Sequence, residues 1–384
     1  MKKLILVTLI GLFFSCEEKV ITSKQYFNKN KNNKVSYNQN VSLIIDSLTI
    51  NNDIETSYNG SYTISKNTIV FNDLFFGYLF QFEKNLILLS KHFGLGKNSN
   101  ELIGADYITY STITDKYYVL SSKTGVIAVI NSKFQKEKEF EINYNIKRSR
   151  EEVISNPLAH LMDSYEIDYG YDALLNVFDE NHIAIAVTSS HPKFNGYYNS
   201  KYYYENSRVI ALINIEDEYI DRLIGRRPPL FLKKQLPNYD HFNYQVANDN
   251  IYLNFFPEAT IYKIDKNADT LMEAIGVKGK EMKTDYVATS TYKEAYKREL
   301  QDYTQYSFYN SLYVNGKFIF RGYTKNGLKK DGMQIYKNQQ LLADLDFPKG
   351  YKIIGKIDNY YYASKISIKR KEDMTLLKIK INGL

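Results

Sequence analysis

Short runs of apolar and β-branched residues recur from one end of the chain to the other, divided by polar turns, and helical spacing is scarce. Tyr117-Tyr118-Val119-Leu120 follows the turn Thr114-Asp115-Lys116, and Ile251-Tyr252-Leu253 follows Asn248-Asp249-Asn250. The same order returns after Asp179-Glu180-Asn181, Val314-Asn315-Gly316 and Ile357-Asp358-Asn359. A third run then meets a second polar turn: Val126 to Ile130 before Asn131-Ser132-Lys133, and Ile261 to Ile264 before Asp265-Lys266-Asn267. β-rich runs divided by Asn, Asp and Gly turns are hairpin signals. The pattern predicts about six units of about four strands each, at a spacing of roughly 40–50 residues, which is the mark of a β-propeller. The expected fold class is therefore all-β, a six-bladed β-propeller over residues 41–384. Val41 to Ile50 reads as an extra early strand that joins the last blade and closes the ring.

Two interruptions break the repeat. One lies around Ser190 to Ser207 and the other between Met282 and Gln305, where residues 286–303 suit a short amphipathic helix. Three units leave through a similar phrase: Phe93-Gly94-Leu95-Gly96, Leu223-Ile224-Gly225-Arg226 and Ala274-Ile275-Gly276-Val277. Glycine suits a sharp turn from an outer strand toward the next inner one. The first phrase continues to Glu101. It resembles the Gly-x-Gly-x-x-x-x-Glu blade junction in six-bladed propellers of Bacteroidota lipoproteins, relatives of NHL- and TolB-type propellers. The likeness is strongest to a branch catalogued only as a domain of unknown function. It spans Val41 to about Ile381 and implies the fold, but it brings no catalytic residues with it.

The chain opens with Met1-Lys2-Lys3, the apolar run Leu4 to Phe14, Ser15 and then Cys16, its only cysteine. A basic start, a short apolar stretch and a small residue at the cut site make a secretory signal over residues 1–15. The apolar stretch is too short to span a bilayer, which takes about 20 residues. The segment resembles the bacterial lipoprotein signal, although Phe13 and Phe14 are bulkier than its usual residues. The resemblance implies lipidation of Cys16 and a membrane partner through the lipid. Glu17 and Glu18 resemble the surface-export signal of Bacteroidota lipoproteins. Ser23 to Asn40 is polar, so residues 16–40 read as a lipidated cysteine and a flexible tether. The expected location is the outer membrane of the cell envelope, facing the periplasm or the cell surface.

Lys and Arg number 50 against 43 Asp and Glu, a net charge of +7, and the basic runs are short and scattered. A nucleic-acid protein would gather that charge on one element, so no nucleic-acid partner is expected. With one cysteine there is no intrachain disulfide, and stability must come from packing. The 36 tyrosines and 21 phenylalanines favour β structure. The lack of tryptophan counts against a sugar platform.

The five histidines form no close pairs, and no metal or cofactor is expected. Asp163, Glu166, Asp168 and Asp172 form the richest acidic stretch and are candidates for carboxylate chemistry. Pro237 to His241 enters a blade, and Asp240 and His241 there suit a sugar or peptide contact. The insertion from Ser190 to Glu205 carries Tyr197, Tyr198, Tyr202, Tyr203 and Tyr204, which suit a partner surface because tyrosine gives wide contact at low entropy cost. No Gly-x-Ser-x-Gly elbow or nucleophilic cysteine is present in the body, which disfavours acyl transfer. The reading is a propeller that binds an envelope protein or a glycan. A carbohydrate-active hydrolase with carboxylates at the channel, and a structural subunit of an envelope complex, are the alternatives.

Overall fold

The computed structural model describes residues 22–29, 31–36, 38, 40–50, 54–169, 175–198, 200–366 and 374–383. Cys16, Glu17, Glu18 and Asp172 lie outside these. Six antiparallel sheets stand around one axis. Blade 1 runs from its inner to its outer strand as Gly60–Ser65, Thr68–Asp73, Tyr78–Glu83 and Leu88–Phe93. Blade 2 is Tyr107–Ser111, Lys116–Ser121, Val126–Asn131 and Lys136–Glu141. Blade 3 is Asn176–Val177, His182–Thr188, Arg208–Asn214 and Ile220–Arg226. Blade 4 is Phe242–Ala247, Asn250–Phe255, Ile261–Asp265 and Thr270–Ile275, and blade 5 is Tyr309–Asn315, Phe318–Tyr323, Lys330–Lys337 and Gln340–Pro348. Blade 6 takes Tyr351–Ile357, Tyr360–Lys365 and Thr375–Asn382 from the C-terminal end and its outermost strand, Ser42–Thr49, from the N-terminal end. Each inner strand touches the next, and that of blade 6 returns to that of blade 1, so the ring is closed.

Alternation explains the layers. The middle strands are buried nearly throughout, as in Ile69–Asp73 and Ile183–Val187, because they face sheets on both sides. Tight turns join inner strands to middle ones. Asn248 and Asp249 both take positive φ, 50° and 58°, as a two-residue type I′ turn requires. At the blade exits Gly225 and Gly276 have φ of 68° and 131°. A Cβ on Gly276 would lie 2.7 Å from the Ala259 carbonyl oxygen, so the junction admits only glycine without a shift. At the first junction the Glu101 carboxylate folds back over Gly96 and accepts from the Asn98 amide at 3.0 Å.

In a meander every second connection emerges on the same face. The long ones, 142–175, 189–207, 227–241 and 276–308, therefore all gather where the inner strands begin, here called the entry face. The insertion near 286–303 is a helix at Tyr292–Gln305, the capping helix, whose start is set by Thr291 accepting from the Glu294 amide.

The stretch from Ser23 to Asn40 differs from the flexible tether expected of its composition: its described residues are docked. Ser23 is fully buried and donates to the Arg227 carbonyl at 2.6 Å, and the Tyr26 hydroxyl donates to Asp269 at 2.8 Å. Lys31–Asn32 adds a parallel strand to the outer edge of blade 4, and Val35 bridges to Leu341 on that of blade 5. Open strand edges supply the amides and carbonyls that a polar chain needs, so low hydrophobicity did not leave this segment unpaired.

Candidate functional site

The six inner strands enclose a channel of about 1180 Å³. At the entry face lies a second cavity of about 620 Å³, and Asn243 lines both. The second cavity lies over the starts of the inner strands of blades 4, 5 and 6 and under the capping helix. Its walls include Phe242, Phe256, Phe308, Tyr303 and Leu300, and its polar groups include Asp168, His241, Glu299, Asp331 and Lys349.

The aromatic wall is closely packed. The Phe256 and Phe308 rings stack at 5.1 Å, and Tyr303 meets Phe308 edge-on at 5.5 Å. Tyr303 is fixed through its hydroxyl, which donates to the Asn238 carbonyl at 2.7 Å. The Asn238 side chain donates in turn to Asp302 at 3.0 Å and to the Ala295 carbonyl at 2.8 Å. These bonds fasten the capping helix to the Pro237–Tyr239 turn, and the next residues, Asp240 and His241, are positioned by the same turn.

Asp240 and His241 are neighbours with different employment. Asp240 is held by Arg227, whose Nε lies 2.7 and 2.9 Å from its two carboxylate oxygens. The Arg227 guanidinium is 1 % exposed, lies 4.6 Å from the Tyr203 ring and donates to Ser207 and the Arg208 carbonyl. A buried guanidinium stripped of its carboxylate costs about 3–5 kcal/mol, so Asp240 maintains the fold. His241 lines the cavity, with its ring 5.5 Å from Phe256. Burial pulls its pKa below the ordinary imidazole value, while Asp168, Asp240 and Glu299 pull it upward, and burial prevails. The ring is neutral at pH 7 and can donate from one nitrogen and accept at the other.

The acidic stretch is dispersed by the fold. Asp163 is clamped by Arg148 at 2.6 and 2.7 Å, and Glu166 is exposed on a short strand paired with Thr188. Of the described members of the stretch only Asp168 lines the cavity, together with His241. Asp331 accepts from the Lys325 and Gly350 amides at 3.2 and 2.8 Å, which fixes two loops, and Lys349 turns its ammonium to the Leu328 carbonyl at 2.8 Å. Among the described residues no group of three His, Cys, Asp or Glu side chains is placed to hold a metal ion.

The tyrosine insertion divides in two. Tyr203 and Tyr204 are buried on the helix Ser200–Asn206, with Tyr204 stacked on Phe231 at 5.1 Å. Tyr202 packs edge-on against Phe194 at 5.5 Å. Tyr197 is half-buried, and Tyr198 faces outward. Tyr198 is 71 % exposed, and Tyr197 meets Tyr292 of the capping helix edge-on at 5.2 Å. Tyr292 stacks with Tyr296 at 6.1 Å, and Leu300 follows one turn later, so one helix face carries a track of exposed rings to the cavity mouth. Burial, then the charges of Asp240 and Glu299, push the Tyr197 hydroxyl up to about 12.

Sequence reasoning missed Phe256, Phe308, Glu299, Leu300 and Asn243. Phe255 ends a middle strand that is buried on both faces and Phe256 follows it directly, so alternation left nothing to set Phe256 apart from a core residue. Asn243 is 9 % exposed, and its side-chain amide nitrogen finds no partner among the described residues. A buried donor is costly unless something in the cavity accepts from it.

The chain is thus a closed six-bladed propeller with an axial channel and an aromatic-walled cavity at its entry face. The chain is similar to a solved DUF4221-family protein of Bacteroides vulgatus, with 12 % identity, a TM-score of 0.62 and coverage of 89 % of this chain and 98 % of that one. It is also similar to a Bacteroides fragilis protein classed as exported, with 13 % identity, a TM-score of 0.53 and coverage of 92 % and 100 %. Likeness at this level establishes the fold. No family model and no curated protein matches the chain.

Proposed function

We propose that this protein is an envelope lipoprotein, anchored through Cys16, whose propeller binds a polar organic ligand with an apolar face in the entry cavity. The carrying observation is the convergence of Asn243, His241 and Asp168 on a cavity walled by Phe256 and Phe308. Rings take the apolar face of a ligand, and the carboxylates, amide and neutral imidazole take its hydroxyl or amide groups. A glycan has that chemistry, and the track Tyr197–Tyr292–Tyr296–Leu300 extends the contact to a chain longer than the cavity. The export reading rests on the leader, and the neighbour classed as exported agrees with it.

The binding test is a thermal-shift screen of oligosaccharides and short peptides on the native chain, His241→Gln and Leu300→Asp. At least one ligand is expected to raise Tm in the native chain, with the shift reduced by more than half in both variants. A shift equal in all three places the ligand elsewhere. Palmitate-analogue labelling of the native chain and Cys16→Ala tests the anchor, and the label should vanish in the variant.

Asp168 and Glu299 in one cavity with His241 favour a second reading, glycoside hydrolysis, in which two carboxylates flank the scissile bond. Turnover of the bound oligosaccharide, abolished in Asp168→Asn with binding retained, would select it.

A further inference from the structure

The outer half of blade 3 carries a second feature that the entry cavity does not use. Arg208 opens one strand and Arg226 ends its neighbour, and the two residues stand directly opposite in the ladder. Directly paired side chains start about 4.5–5.5 Å apart, and like charges there repel. Arg226 is 5 % exposed and Arg208 is half-buried, so water screens this repulsion only in part.

Neither guanidinium is satisfied. Nε and Nη1 of Arg208 and Nε of Arg226 are buried with no hydrogen-bond partner among the described residues. Arg226 Nη1 reaches the Asn206 carbonyl only at 3.5 Å. Among the described residues the arginine ion pairs are those of Arg148, Arg227 and Arg298, and none involves this pair. Asp269 is the nearby carboxylate, but one of its oxygens already accepts from the Tyr26 hydroxyl at 2.8 Å and the Gly225 amide at 2.9 Å. It offsets one positive charge of two. Arg227 next door is matched by Asp240 and contributes no surplus. Burial, and then the Arg208 charge, lower the pKa of Arg226 to about 10.

Unpartnered guanidinium N–H groups on two facing arginines can donate to the oxygens of a tetrahedral anion, which arginine binds with two parallel bonds. We propose that Arg208 and Arg226 form a binding site for a phosphate group, borne by a lipid headgroup or by a free phosphate. The chain itself supplies the reason to consider a lipid. Its N-terminal segment docks here, with Tyr26 lying 5.8 Å from the Arg226 guanidinium. Cys16 stands six positions before Thr22, a reach of about 20 Å when extended. On the anchored reading, the membrane holding Cys16 brings headgroups within that distance.

The test uses the chain from Thr22 onward, which lacks the anchor, together with Arg208→Gln and Arg226→Gln. Inorganic phosphate is titrated calorimetrically at constant ionic strength set by sodium chloride, and Tm is followed in parallel. Saturable binding that raises Tm is expected, weakened about tenfold or more in each variant. Arg208 is half-buried, so its glutamine variant retains the fold, and its circular dichroism verifies this. Flotation with phosphatidylglycerol and phosphatidylcholine vesicles separates the sources. Retention on the anionic vesicles alone, lost in the variants, assigns a headgroup, and phosphate binding without retention assigns a free phosphate. Absence of saturable phosphate binding at fixed ionic strength, or binding in both variants as tight as in the native chain, overturns the proposal.

Discussion

His241 shows how position decides chemistry. Its neighbour Asp240 is consumed by Arg227, whereas the His241 ring faces the cavity and is kept neutral by burial. Its folded pKa lies below the ordinary 6.5, so the folded protein binds fewer protons than the unfolded chain as pH falls through that value. The stability supplied by burying the neutral ring is complete above pH 6.5 and is lost as pH drops through the folded pKa. Native Tm should therefore decline as pH falls below about 6.5, and His241→Gln should flatten that decline. A thermal melt series at constant ionic strength reads this, and parallel curves for the two proteins would remove His241 as the cause. Asp168 was legible as a candidate because it sits in an acidic stretch, but its association with His241 was not. The two are far apart in sequence, and only the closing of blades 3 and 4 brings them to one cavity.

At the scale of elements, the N-terminal arm is the device that completes the molecule. It is buried at Ser23 against blade 3, pairs with the outer strands of blades 4 and 5, and supplies the last strand of blade 6 through Ser42–Thr49. A chain beginning at Thr22 should melt like the full protein. One beginning at Asn51 should lose more than about 10 °C in Tm or fail to stay soluble, because Thr375–Asn382 becomes an open edge and the ring lacks its closure. Equal melting of the two chains would contradict this role. The strands themselves were readable, since alternation and Asn/Asp turns act locally. The ring closure by Val41 to Ile50 was readable too, as a strand left over from the count. The docking of Lys31–Asn32 was not, because it relies on main-chain bonds to strand edges and leaves no hydrophobic signature. The tyrosine insertion misled for the opposite reason: Tyr203 and Tyr204 look like surface residues by composition and are core residues by helix phase.

At the scale of the molecule, every long connection emerges on one face, and blades of tight hairpins hold that face still. The capping helix, the Pro237–Tyr239 turn and the loops of blades 5 and 6 meet there around one cavity, which shares Asn243 with the lining of the axial channel. The central claim is that this cavity, with its ring-lined mouth, is where the protein holds its ligand. Crystals of the chain from Thr22 onward, soaked with a library of small fragments, test it most directly. The account predicts fragments gathered against Phe256 and Phe308, accepting from the Asn243 side-chain amide and touching His241. A cavity left empty while fragments settle elsewhere on the molecule would contradict it.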